Sequence, residues 1–180
     1  IVIYIVYLIV KLNTQRLKAK NELLEKTVHE RTKEIEEQKD ELIEKNKEIT
    51  DSINYAKRIQ NALLREQEHI SLHLPEHFIL FLPKDIVSGD FYWTTVKNER
   101  RYYAVADCTG HGVPGALMSM LCSQLLDEAV MHTESPIDIL NYVQHALDAK
   151  MKAMGRNDGM EIGLVSIGLD PNESVCFAGI

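Results

Sequence analysis

Two aspartates in this sequence stand where carboxylates can act together. Asp90 lies in "SGD", just before the aromatic and β-branched run "FYWTTV", residues 91–96. Asp107 follows the similar run "RYYAVA", residues 101–106. The polar "KNER" between the runs predicts a tight turn, and so an antiparallel hairpin. Pairing centred on that turn sets residue 90 opposite residue 107. Two unpaired carboxylates so placed repel each other unless a cation lies between them. Hard divalent ions such as Mg²⁺ and Mn²⁺ take such oxygen ligands and keep several waters. Two such ions about 3.5–4 Å apart can bridge a water and make it hydroxide-like. The bland alternative is that the two acids are only turn and cap residues.

The second chemical signal is "VADCTGHGVPGALMSM", residues 105–120, where Gly110, Gly112 and Gly115 spell G-x-G-x-x-G. A dinucleotide loop of that form needs a parallel βαβ unit and an acid about 20 residues on, at the end of the second strand. Here the preceding strand belongs to a hairpin, and Asp127 and Glu128 fall inside a helical pattern. Asp107 would also place a carboxylate beside the pyrophosphate. The glycines are better read as letting a loop approach the Asp107 site closely. His111 has the chemistry of a general acid, but its place before the helical run reads as a helix start.

The elements that must position these residues follow from pattern. Residues 114–131 predict a helix, with Leu117, Leu121, Leu125 and Ala129 on one stripe. Ser135-Pro136 predicts an N-cap with proline at the first helical position, and this second helix runs to Met154, with Gly155 ending it. "MEIGLVSIGLD" and "SVCFAGI" predict an antiparallel pair turning at Pro171-Asn172, and the apolar run Phe78 to Leu82 reads as a strand. Strands, then two helices, then strands is an α+β layout.

Upstream, from Leu12 to Arg65, there is neither Gly nor Pro, and Val28, Ile35, Leu42, Ile49, Ala56 and Leu63 recur every seven residues. That is one seam of a coiled coil. The companion seam is polar, so pairing is expected to be weak and able to change register, as suits a signal-transmitting helix. "HERT", residues 29–32, loosely matches the phosphoacceptor box of sensor histidine kinases, but no proline follows the Thr. His29 reads as an exposed helix residue. Before the helix, "IVIYIVYLIV" fills residues 1–10, with Lys11, Arg16, Lys18 and Lys20 after it. A span needs about 20 apolar residues. The run is therefore read as the inner half of a transmembrane helix with its positive cytoplasmic flank, against a buried apolar strand as the alternative. The organisation expected is a membrane-helix end over 1–11, a coiled coil over 12–65 and a catalytic part over 66–180.

Composition narrows the classes further. The 180 residues carry a formal charge of −7. Basic residues do not gather into a face with interleaved aromatics, so nucleic acid is not an expected partner. Cys108, Cys122 and Cys176 lack metal-ligand spacing and read as free thiols in a reducing compartment.

"PKDIVSGDFYW" and "ADCTGHGVPGALMSM", with "NDGMEIGLVSI" downstream, resemble the SpoIIE-type branch of the metal-dependent protein phosphatases, over about residues 75–180. The helix before them resembles the linker of membrane-bound bacterial sensors. The resemblance implies an αββα sandwich of the protein phosphatase 2C-like type, incomplete here and preceded by a long coiled-coil helix. It implies a binuclear Mn²⁺ or Mg²⁺ site that hydrolyses phosphoserine or phosphothreonine with a metal-activated water and no phosphoenzyme. Usual substrates are small phosphorylated regulatory proteins, often anti-sigma-factor antagonists. Asp90 and Asp107 match the first two metal-binding acids, and the backbone carbonyl of Cys108 matches the next ligand. Lys84 lies where a basic residue can hold the substrate phosphate, and Asp158 in "NDGM" where a third, loose metal can be touched. Glu161 stands where relatives often carry Asp and is assigned no role.

The family's further C-terminal metal-binding acids do not occur before Ile180. The 180 residues alone are therefore expected to be inactive. The expected whole is a homodimer through the coiled coil, attached to the bacterial inner membrane with its catalytic domain in the cytoplasm. The rival readings are a phosphatase-like interaction module without turnover and a sensor histidine kinase fragment.

Overall fold

The structure, a computed structural model, describes residues 1–64, 77–153, 155, 158–170 and 174–180. Helix α1 runs Val2–Leu63, strand β1 Phe91–Lys97 and strand β2 Arg100–Cys108. Helices α2, Gly112–His132, and α3, Pro136–Ala153, come next, before strands β3, Met160–Gly168, and β4, Cys176–Gly179. The chain divides into two units, Ile1–Thr50 and Asp51–Ile180.

The first unit is helix throughout and exposed along its length. Its regularity follows from the missing Gly and Pro and from acid–base pairs one turn apart, among them Lys26–Glu30, Lys33–Glu37 and Glu41–Lys45. Each such pair stabilises a helix by a few tenths of a kcal/mol, about 0.2–0.5. Val28, Ile35, Leu42 and Ile49 lie exposed along it. Residues 2–10 are its first turns, not the strand weighed against a membrane segment. Among the described residues no helix is long and apolar enough to cross a membrane.

In the second unit the four strands form one antiparallel sheet in the order β1-β2-β3-β4. The β1–β2 turn is two residues, Asn98 and Glu99, both at positive φ (49° and 60°). That is the twist a two-residue hairpin favours. β2 and β3 are neighbours in the sheet, with the α2–α3 hairpin inserted between them in sequence. Alternation along each strand puts one set of side chains under the helices and the other on the open face. Phe91, Trp93, Tyr102, Ala104, Ala106, Ile162 and Leu164 pack with Leu125, Leu126, Ile139, Leu140 and Val143 in one core. Val105 and Phe177, on the opposite face, are about 70% exposed (69% and 71%). The architecture is the expected α+β one, with a helical layer on a sheet layer.

Three details depart from the sequence reading. Residues 78–82 form no strand, and Phe78 and Leu82 are exposed. A strand needs a ladder partner, and among the described residues none borders the free side of β1. Phe81 instead meets Tyr92 edge-on, with ring centroids 5.8 Å apart. Leu117 is exposed rather than on the buried stripe of α2, which runs through Met118, Cys122, Leu125 and Ala129. Leu125 and Ala129 of the expected stripe are buried and Leu121 packs against the core, so the departure is confined to Leu117 near the start of the helix. The expected end of α3 at Met154 and the turn at Pro171-Asn172 lie outside the described residues.

Candidate metal centre

The β1–β2 ladder ends at Phe91↔Ala106. One step further brings Asp90 and Asp107 together on the open face of the sheet. Partial desolvation raises the Asp90 carboxyl from its ordinary value, and a side-chain hydrogen bond and charge repulsion from Asp107 add to it. Among the described residues no Lys, Arg or His forms an ion pair with either acid. A carboxyl in this state is one that a cation would relieve.

Two glycines make the approach possible. A Cβ on Gly89 would come within 2.7 Å of the Gly110 carbonyl oxygen and 3.0 Å of that of Cys108. A Cβ on Gly115 would meet the Gly110 oxygen at 2.5 Å and the Gly89 Cα at 3.1 Å. The loop before β1, the loop after β2 and the first turn of α2 are thus in backbone contact. This is what the glycine pattern serves here, as the absence of a parallel βαβ unit requires.

Cys108 turns its side chain under the helices, where both it and Cys122 are buried. A hydrogen bond with Cys122, burial and the two nearby aspartates push its thiol well up from its ordinary value. A protonated thiol on the core side leaves the backbone carbonyl as the group Cys108 can offer on the side of Asp90 and Asp107.

The sheet adds an acid that the sequence reading left without a role. Glu161 is the partner of Asp107 in the β2–β3 ladder. With Asp90 and Asp107 it lines a shallow depression that reaches Gly163 and Gly179. Only the β2–β3 register reveals it, since β3 lies some fifty residues away in sequence. Thr109 ties the same end of the sheet, donating its N–H to the Gly159 carbonyl (2.9 Å) and accepting at Oγ1 from the Gly159 N–H (3.1 Å).

The other expected residues are less central. Asp158 precedes β3 and does not line the depression. Lys84 is exposed and also lies outside it. His111 is the N-cap residue of α2 without capping through its side chain, and its Nδ1 lies 3.1 Å from Asp85. His29 is exposed on α1. Two carboxylates and a carbonyl are a hard oxygen set, which fits Mg²⁺ or Mn²⁺. The set is short: among the described residues no group of three or more His, Cys, Asp or Glu is placed to hold a metal ion.

Residues 97–178 match the family model for Stage II sporulation protein E (SpoIIE). Among solved structures, the SiaA-PP2C domain of Pseudomonas aeruginosa is 39% identical, with a TM-score of 0.66 over 74% of this chain and 54% of that one. The chain thus spans about half the length of that structure. The RsbU and RsbW domains of Rv1364c from Mycobacterium tuberculosis match at 18% identity and a TM-score of 0.40, over 49% of this chain and 24% of that one. No curated protein matches. The long helix and the four-stranded antiparallel sheet with its helical pair correspond to part of a PP2C-like fold.

Proposed function

We propose that this chain carries part of a metal-dependent serine/threonine protein phosphatase domain of the SpoIIE type, acting in bacterial signal transduction. The observation that carries the reading is the Asp90–Asp107 pair, seated on two loops held in contact at Gly89, Gly110 and Gly115. The match to the SpoIIE model and the 39% identity to the SiaA-PP2C domain support a phosphatase role.

In this reading the Asp90 and Asp107 carboxylates and the Cys108 carbonyl would hold Mn²⁺ or Mg²⁺, with two ions in a complete site. Such ions supply a water acidic enough to serve as nucleophile near neutral pH. The chain's part is to hold hard oxygens at the end of a rigid sheet, so that little reorganisation is needed when metal enters. Hydrolysis of a phosphoserine or phosphothreonine ester breaks its P–O bond and returns the alcohol and inorganic phosphate. Lys84 is proposed to contact the phosphate, and Asp158 to touch a third, loosely held ion. The substrate class is a phosphorylated regulatory protein, of the anti-sigma-factor-antagonist kind. Homodimerisation along Val28, Ile35, Leu42 and Ile49, control through that coiled coil, and attachment to the inner membrane belong to the same proposal.

A second reading rests on the shortness of the ligand set. It makes the domain a phosphatase-like module that binds its partner without turnover. Phosphopeptide hydrolysis by the complete gene product, with and without Mn²⁺, separates the two. Turnover is expected to need Mn²⁺ and to be lost in Asp107→Asn with the fold intact. Wild-type, metal-dependent turnover in that variant overturns the metal reading. Metal binding without any turnover in the wild type favours the module.

A further inference from the structure

Gln60 is a buried polar residue on a helix that is otherwise largely exposed. It lies in the last turn of α1, within the second unit, and is 4% accessible. A buried amide must place all its donors and acceptors or lose stability. Its Nε2 donates to the Ser88 carbonyl at 2.6 Å and to the Ser119 hydroxyl at 2.8 Å. Its Oε1 accepts from the Ser88 backbone N–H at 3.2 Å. One side chain thus pairs both backbone groups of one residue, as a neighbouring strand would.

The contact does not stop at Ser88. The Ser88 Oγ accepts the backbone N–H of Asp90 at 3.1 Å. Gly89, between them, is held against the Cys108 and Gly110 carbonyls. Ser119, fully buried on α2, has its hydroxyl 3.1 Å from the Ser88 carbonyl and 2.9 Å from that of Ala116, and its single proton serves one of them. Three elements therefore meet at one peptide, two residues before an acid of the candidate metal pair. Packing alone would have needed only an apolar side chain here, as at the partly buried Leu64 that packs against the core.

We propose that Gln60 is a positioning residue for Asp90: the end of α1 sets the loop that carries the acid, and so sets the affinity of the site for divalent metal. The proposal rests on the metal reading of Asp90 given above. Replacing Gln60 by Leu leaves the Ser88 N–H without its acceptor and takes the amide donor from the Ser88 carbonyl. Residues 88–90 then gain freedom while the core beneath them is unchanged.

The test uses the complete gene product in four variants, with Mn²⁺ as the probe. Gln60→Leu is expected to speed amide hydrogen exchange at Ser88 and Asp90 and to raise the Mn²⁺ dissociation constant, each roughly tenfold, the size expected when Ser88 loses its two hydrogen bonds to the amide. Leu64→Ala loosens the same helix end without touching Ser88. It is expected to lower Tm while leaving Mn²⁺ affinity and Asp90 exchange at wild-type values. Where Gln60→Leu does not fold, Gln60→Glu keeps the acceptor for the Ser88 N–H, loses the donor, and reads the same two quantities. Wild-type exchange at Asp90 and wild-type Mn²⁺ affinity in the Gln60 variants overturn the proposal, as does an equal loss in Leu64→Ala. The fourth variant, Asp90→Asn, separates this failure from that of the metal reading: unchanged Mn²⁺ affinity there sinks the metal site itself, whatever Gln60 does.

Discussion

Asp107 faces Glu161 directly across the β2–β3 ladder, while on its other side it meets Asp90. Three acids from three neighbouring strand ends therefore share one face of the sheet, and Asp107 is the middle one. Like charges placed directly opposite in a sheet destabilise it. Removing one charge should relieve this. Glu161→Gln is expected to raise the Tm of metal-free protein by a few degrees, and Asp107→Asn by more, since it ends both repulsions. With saturating Mn²⁺ the order should reverse for Asp107→Asn, because a ligand has gone. Thermal melts in chelator and in Mn²⁺ read both. A lower Tm for Glu161→Gln in chelator would show that the pair is not repulsive.

The Asp90 carboxyl sets a pH dependence whose sign follows from its raised value in the folded protein. The folded state holds this proton more tightly than the unfolded chain, whose ordinary value is 3.8. Its contribution is fully present below that pH and is lost as pH rises through the higher folded value. Metal-free wild type should therefore lose stability relative to Asp90→Asn across this acidic window. Mn²⁺ competes with the same proton, so its affinity should fall as the pH drops through it. Chemical denaturation of both proteins from the ordinary aspartate value upward, over roughly two pH units, checks the sign.

Gly115→Ala tests the close backbone approach. The added methyl would meet the carbonyl oxygen and carbon of Gly110 and the Cα of Gly89, all backbone atoms that cannot rotate away. Overpacking of this kind costs about 1–3 kcal/mol. Elsewhere on a helix the same change is stabilising by up to about 1 kcal/mol. A fall in stability together with weaker Mn²⁺ binding is expected. A gain in stability would mean that the two loops and the first turn of α2 do not touch.

The exposed apolar residues of α1 test dimerisation. Single cysteines at Ile35 or Leu42, in a background without the native cysteines, should crosslink efficiently between two copies. Glu36, one residue off the seven-residue repeat, should not. Equal yields at all three positions would remove the proposed seam.

Much of the candidate site was legible because it rests on local rules. The "KNER" turn and the two flanking β-rich runs determine the hairpin register, and the register alone brings Asp90 to Asp107. The helical stretches, the Ser135-Pro136 start of α3 and the pairing of the last two strands follow in the same way from periodicity and end signals. What tertiary structure decided lies further apart in the chain. Glu161 reaches Asp107 only once β3 has paired with β2, after a helical hairpin that carries no register information. Gln60 reads as an ordinary polar position of a charged helix; it becomes a buried amide because Ser88 and Ser119, 28 and 59 residues away, close around it. Leu125 and Ala129 of the apolar stripe of α2 are buried as its spacing predicts, but near its start Leu117 is exposed while Ser119, bonded to Gln60, is fully buried. Residues 78–82 have the composition of a strand but lack a ladder partner among the described residues. Local sequence sets which backbone conformations are available; burial and hydrogen-bond partners, which come from distant parts of the chain, choose among them.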